Sequence, residues 1–169
     1  MITKTLDLGC GLNPRNPFDC SEVYGIDIRE NKDLNIFNVD LIIDPIPFNE
    51  SFFDYVTAYD FIEHIPRVMY LPERKFPFVD LMSEIFRVLK PGGKFLSYTP
   101  AFPYPEAWVD PTHVNTITNK TFMYFDNKNC GAKRYGFIGG FEIEKQYWHS
   151  KHWWKKRSHL ISILVKPIN

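Results

Sequence analysis

The chain lacks an excess of charge of either sign, since lysine plus arginine and aspartate plus glutamate both number 20. No global field draws it toward nucleic acid or an anionic membrane, so a charged partner must be met locally. Paired cysteines are missing too. Cys10, Cys20 and Cys130 are odd in number and form no CxxC spacing. That argues against a disulfide framework and a zinc knuckle, and it fits a reducing cytoplasm. No metal is expected. No uncharged apolar run approaches the roughly 20 residues that span a bilayer, and residues 1–5 carry no basic and apolar leader. A soluble, cytoplasmic protein without a membrane partner is expected. Repeats and low-complexity tracts are absent, and the 13 prolines and 9 glycines are scattered rather than massed in a linker. One domain over residues 1–169 is therefore expected.

What is present is an alternation of short apolar runs with turn signals. Residues 3–8 read as a buried strand entering a glycine turn, and residues 22–28 repeat the pattern with VYGIDI. Pro14 and Pro17 interrupt the segment between them, so the crossover helix there must be short or distorted. Residues 35–43 and 52–59 supply a third and a fourth strand, the latter running into a helical turn at DFIEHI. Phe78, Met82, Ile85, Phe86 and Leu89 fall on one helical face that ends at Lys90, Pro91, Gly92 and Gly93. Residues 94–99 form a fifth strand ended by Pro100, followed by a long loop to about Thr118. Residues 141–148 and 160–166 are strand-like, with a connection too short for a crossover helix, and so form an antiparallel pair. The sum is an α/β sandwich around a mixed sheet.

Acids recur at the strand ends. Gly9 and Gly11 let the backbone turn sharply and approach a ligand without Cβ contact. Asp27 ends the second strand, where a carboxylate accepts hydrogen bonds from both hydroxyls of a ribose. Asp40 follows the third, where a carboxylate can receive the amino group of adenine. A dinucleotide oxidoreductase shares the glycine turn and the ribose acid. The third glycine of its GxGxxG would fall at position 14, however, and Pro14 supplies no amide for a pyrophosphate.

LDLGCG (residues 6–11), GIDI (25–28), NVDL (38–41) and FRVLKPGGKFLSYTP (86–100), taken in order, resemble class I S-adenosylmethionine-dependent methyltransferases, in particular the small-molecule group called type 11. The resemblance implies a single-domain Rossmann-like fold, a seven-stranded sheet with the last strand inserted antiparallel, and S-adenosylmethionine as cofactor. It also implies that Asp7, Gly9, Cys10, Gly11, Asp27, Ile28, Asp40, Leu41, Tyr59, Asp60 and Phe61 line the cofactor. The helix that usually precedes the first strand is missing and those after the first two strands are shortened, so the site is open, covered by the late loop or completed by another subunit.

On the acceptor side, methyl transfer from a sulfonium depends mainly on alignment, with a base needed chiefly for hydroxyl acceptors. His113 in DPTHVNT is the leading candidate for base or substrate anchor, with Asp110 as its orienting partner and His64 of DFIEHI second. Trp108 and Tyr104 share the late loop and are candidates for the acceptor pocket. The tract HSKHWWKKRSH, residues 149–159, could meet an anionic group, although a solvated hairpin is the plainer reading. AYDF stands where amino-methylating nucleic-acid enzymes carry a DPPY-type tetrapeptide, and no cysteine follows proline as cytosine carbon methylation requires. A small-molecule or sugar acceptor at oxygen or nitrogen is thus expected, and nucleic acid is disfavoured. The alternatives are a noncatalytic methyltransferase-fold binding subunit and an NAD-dependent oxidoreductase.

Overall fold

The computed structural model describes residues 2–29, 35–70, 72–150 and 158–168. Its seven strands are β1 (Lys4–Leu8), β2 (Glu22–Asp27), β3 (Ile36–Asn38), β4 (Phe53–Tyr59), β5 (Leu89–Pro100), β6 (Glu142–His149) and β7 (His159–Val165). They form one sheet in the order β3-β2-β1-β4-β5-β7-β6. The first five run parallel, while β7 pairs antiparallel with both β5 and β6. The expected terminal antiparallel pair is present. The order reverses between β1 and β4, and a parallel sheet opens a crevice at the carboxyl ends of its strands where that happens.

The long helix α1 (Pro77–Val88) carries proline in its first turn, where the missing N–H has no intrahelical role. It buries Phe78, Leu81, Met82, Ile85 and Val88, a helical stripe in one cluster with Leu6, Leu8, Val56, Ala58 and Phe95 of the strands. Full burial of such side chains contributes about 1.5–3 kcal/mol each relative to exposure. The predicted face included Leu89, but the helix stops one residue earlier. Leu89 turns extended, its N–H reaches the Ile85 carbonyl, and it pairs with Phe53. The fifth strand therefore begins before the KPGG segment instead of after it, with a register shift on β4 between Phe53 and Tyr55 absorbing the extra residues.

Among the described residues no helix lies between β1 and β4. Side chains cover the sheet in its place. Phe48 packs on Phe53 at 4.9 Å and on Tyr24 at 5.5 Å between ring centroids, and Phe18 stacks on Tyr55 at 4.0 Å. Arg87 fastens this irregular segment to α1 by donating to the carbonyls of Phe48 at 2.7 Å and Ile46 at 2.8 Å. Glu84 accepts from Ile46 N at 2.9 Å. The third strand is shorter than expected. Only Ile36–Asn38 pair with β2, because Asp40 bends the chain: its carbonyl accepts from the amides of Ile43 and Asp44, and its Oδ1 from Ile42 N. Most of the basic tract at 149–159 lies outside the described residues.

Asp54 on β4 joins three strands, accepting from Lys4 N of β1 at 2.8 Å and from Lys90 Nζ of β5 at 2.9 and 2.8 Å. Partial burial pushes its carboxyl up, but the Lys90 and Lys4 donors outweigh this and hold it below its ordinary 3.8. A depressed folded value stabilises the protein at neutral pH, and that contribution is lost as pH falls through and below 3.8. Asp54→Asn should accordingly lower stability by about 1–2 kcal/mol at neutral pH. In urea titrations the gap from wild type should close as the pH is brought below that value.

Candidate active site

β1 delivers Asp7 fully buried at the start of the glycine turn. Its Oδ1 accepts from Thr57 Oγ1 of β4 at 2.6 Å and its Oδ2 from Arg15 N at 2.8 Å. Burial raises its pKa, and the donors from Thr57 and Arg15 act against that rise. The carboxylate thus holds the turn. Gly9 and Gly11 both sit at φ +63°, a backbone region that L side chains rarely adopt. A Cβ on Gly9 would also lie 2.3 Å from the ring of Phe61, so this glycine is what lets Phe61, two residues after β4, close over the turn.

The turn brings Gly11 N to Asp27 Oδ2 at 2.9 Å. Arg29, two residues on, donates to Asp27 Oδ1 from its backbone N at 3.1 Å and from Nε at 2.8 Å. Burial alone would raise the Asp27 pKa, yet the Arg29 and Gly11 donors overcome it and hold the carboxylate below its ordinary range. Asp27 is therefore ionised at neutral pH. A cleft of about 460 Å³ opens here, lined by Gly9, Asp27, Ile28, Arg29, Asp40, Leu41, Phe61 and His64, among others. Six of the expected cofactor residues meet in it: Gly9, Asp27, Ile28, Asp40, Leu41 and Phe61.

The other five surround the cleft without lining it. Asp7 and Gly11 build the turn from behind. Cys10 faces away, its Sγ packed where a Cβ on Gly25 would come within 2.5 Å, and burial pushes its thiol up to about 12, so it stays neutral. Tyr59 lies under the Arg15 guanidinium at 4.7 Å. Asp60 pairs with His159 of β7 at 3.2 Å, and that ring stacks on Tyr98 at 4.7 Å. Arg29 is an addition to the expected set, and Arg15 an addition to the frame around it. Their signal was proximity in sequence, Arg29 directly after GIDI and Arg15 directly after Pro14.

The acceptor side assembles from the 3-10 turn after β4 (Ile62–His64) and the loop after β5. The Glu63 carbonyl accepts from Val114 N at 3.0 Å and Asn115 N at 2.9 Å, which fastens the two segments together. His64 and His113 meet edge to face with ring centroids 4.8 Å apart. Asp110 orients a different histidine from the one expected. Its Oδ1 accepts from Thr112 Oγ1 at 2.6 Å, and that hydroxyl lies 3.0 Å from His64 Nδ1, whereas His113 Nδ1 is 3.3 Å from the Ala107 carbonyl. Glu63 is buried, with Thr99 Oγ1 donating to its Oε2 at 2.7 Å. Trp108 is 59% exposed on the single-turn helix α2 (Glu106–Val109), and Tyr104 packs on Trp148 of β6 at 5.0 Å. Neither joins the histidines. An apolar cleft of about 560 Å³ lies further along, lined by Arg67, Phe76, Phe78, Tyr124, Phe125 and Tyr135 among others.

A strand-order reversal, a glycine turn bare of Cβ and an ionised strand-end acid define a Rossmann-like α/β fold with a cleft at the carboxyl edge of its sheet. The chain belongs to the methyltransferase domain family, which its residues 6–97 match. Its cofactor is S-adenosylmethionine, and the site fits that group: Gly9, Phe61 and the carboxylates of Asp27 and Asp40 stand in one cleft. Squalene methyltransferase 1 of Botryococcus braunii is 36% identical over 115 residues, 56% of this chain and 27% of that protein. The chain thus spans about a quarter of that relative. Among solved structures, an S-adenosylmethionine-dependent methyltransferase of Mesorhizobium loti superposes with TM-score 0.64 at 15% identity, covering 98% of this chain and 92% of the other. One from Archaeoglobus fulgidus gives 0.61 at 16%, covering 97% and 86%. The cyclase SpnF gives 0.65 at 16%, covering 99% and 75%. At these identities the likeness is one of fold.

Gly9→Ala should weaken cofactor binding while leaving the chain folded. The added methyl must displace Phe61, and the positive φ adds strain of about 1 kcal/mol. Calorimetric titration with S-adenosylhomocysteine should show affinity reduced by at least about tenfold, roughly 1.4 kcal/mol. Undiminished affinity would place the ligand elsewhere.

Proposed function

We propose that this chain transfers the methyl group of S-adenosylmethionine to a small-molecule or sugar acceptor at oxygen or nitrogen. One observation carries the proposal: the cleft that gathers Gly9, Asp27, Asp40 and Phe61 also includes His64, which touches His113. Donor and acceptor groups thus share one edge of the sheet.

When bound, the cofactor supplies an electrophilic methyl on sulfur. The chain's own residues do the rest. Asp27 accepts from the ribose hydroxyls, which requires the Arg29 side chain, 60% exposed, to move off the carboxylate. Asp40 keeps one oxygen beyond its bond to Ile42 N for the adenine amino group. Phe61 and Leu41 supply apolar surface along the cleft. His113, its Nδ1 turned to the Ala107 carbonyl, offers Nε2 to the acceptor as hydrogen-bond partner or base, with His64 beside it. The proposed setting is the cytoplasm, supported by three unpaired cysteines. No helix among the described residues is long and apolar enough to cross a membrane.

A second reading has support as well. Squalene, named for the Botryococcus relative, is a hydrocarbon and offers only carbon to a methyl donor, and the apolar 560 Å³ cleft would suit such an acceptor. The deciding experiment has two stages. Calorimetry with S-adenosylmethionine, S-adenosylhomocysteine and NAD should show binding of the first two only, and Asp27→Ala should weaken it by about tenfold or more. Binding of NAD alone would replace the methyltransferase reading with an oxidoreductase, and binding of none would leave a noncatalytic binding subunit. An acceptor screen with labelled methyl donor follows, covering hydroxyl, amine and alkene compounds. On a hydroxyl acceptor His113→Ala should lower kcat by about 100-fold with cofactor affinity unchanged.

A further inference from the structure

Glu63, His64 and His113 each offer one ligand-type atom, and these atoms all lie within 4.8 Å of one another. Donors around a single four-coordinate ion at about 2.0–2.2 Å from the metal stand roughly 3–4 Å apart, so a small rotation of the imidazoles closes the set. The segments that carry them are already joined by the Val114 and Asn115 amides on the Glu63 carbonyl.

The surrounding hydrogen bonds determine which ring nitrogens are available. Thr112 Oγ1 donates to Asp110 Oδ1 at 2.6 Å. The Thr112 proton therefore points at Asp110, and the hydroxyl turns a lone pair toward His64 Nδ1 at 3.0 Å. His64 must carry its proton on Nδ1. His113 Nδ1 faces the Ala107 carbonyl, which accepts and never donates, so it is protonated there too. With Nδ1 engaged on both rings, Nε2 is the ring nitrogen left for a ligand, beside a buried carboxylate. Ligating histidines characteristically donate the other ring N–H to a carbonyl or, as here through a threonine, toward a carboxylate.

We propose that Glu63, His64 and His113 bind one divalent transition-metal ion at the rim of the cofactor cleft, through the carboxylate and the two Nε2 atoms. Two imidazoles and a carboxylate suit zinc, cobalt, nickel, iron or manganese better than magnesium or calcium. Three protein ligands leave coordination open, as in catalytic sites. His64 lines the cofactor cleft, so an acceptor oxygen on that open position would stand next to the methyl donor. The ion would lower the pKa of that oxygen and release its proton to solvent, and the imidazoles would act as ligands in place of the base role. That use of the ion rests on the methyl-transfer reading. Its binding does not.

The test uses chelator-stripped protein titrated with cobalt chloride and zinc chloride, followed by calorimetry and visible absorption. One equivalent should bind, with cobalt d–d bands and no thiolate charge-transfer band. His64→Ala, His113→Ala and the milder His113→Gln should each weaken binding by about tenfold or more, and Thr112→Val by about tenfold with all ligands retained. Circular dichroism checks that each variant folds, and the Gln and Val variants keep the question open to refutation if an alanine variant does not. Absence of stoichiometric binding, binding that survives both histidine substitutions, or a thiolate band from the cysteines would overturn the proposal. Titration with S-adenosylhomocysteine runs in parallel: its binding without the metal's sinks this site alone, and loss of both sinks the cofactor reading.

Discussion

A carboxylate withdrawn from water must be given donors, and at Asp7 that requirement arranges the front of the sheet. With no exposure and a pKa raised by burial, it is tolerable only because Thr57 and Arg15 N each donate to one of its oxygens. The Thr57 bond ties β1 to β4 across the point where strand order reverses. The Arg15 bond fixes where the chain must return after leaving β1, and only eight residues separate Asp7 from Arg15. A loop so constrained has to turn tightly at once, which is why its first turn uses two left-handed glycines. The same turn presents Gly11 N to Asp27 and leaves Gly9 open to Phe61. One buried acid thus sets the geometry of a second, ionised acid on the neighbouring strand.

The contrast between these acids follows from their neighbours. Asp7 meets neutral donors in a closed space, and its burial dominates. Asp27 is nearly as inaccessible, but a guanidinium and two backbone amides reach it, and its charge is held. A charge that is solvated by movable donors at the mouth of a cleft can exchange partners with a ligand. One that is satisfied from within the sheet cannot, and it serves as framework.

The sheet was legible because its signals are local. Apolar runs closed by glycine, proline or aspartate gave five parallel strands and the last antiparallel pair, and the helical stripe from Phe78 to Ile85 gave α1. Legibility failed where tertiary contacts decide. Leu89 continues the helical spacing, yet sheet pairing with Phe53 takes it out of the helix. The apolar run from Ile36 to Ile43 suggests a longer strand, but the Asp40 turn ends the register with β2 at Asn38. In the motif turn, spacing could not say which side chains face the ligand: Cys10 points back at Gly25, and Phe61 points forward because Gly9 has no Cβ. Residues that make the cleft and residues that make its frame look alike in a string.

The acceptor side shows the limit more sharply. Asp110 lies three residues before His113, and proximity in sequence favours pairing them. The structure links Asp110 through Thr112 to His64, which lies on another loop, while Ala107 takes His113. Both imidazoles consequently have Nδ1 engaged, and the edge-to-face contact between them brings two separately weak candidates together beside Glu63. The pairing depends on the Glu63 carbonyl receiving two amides from the late loop, a backbone interaction with no sequence signature. Trp108 was favoured because it shares that loop, but the constraint that brings in residues 113–115 acts after it and leaves it on the surface. The chemistry of this edge is therefore set by where the loop is fastened to the turn after β4, and the side chains nearest that fastening are the ones able to act together.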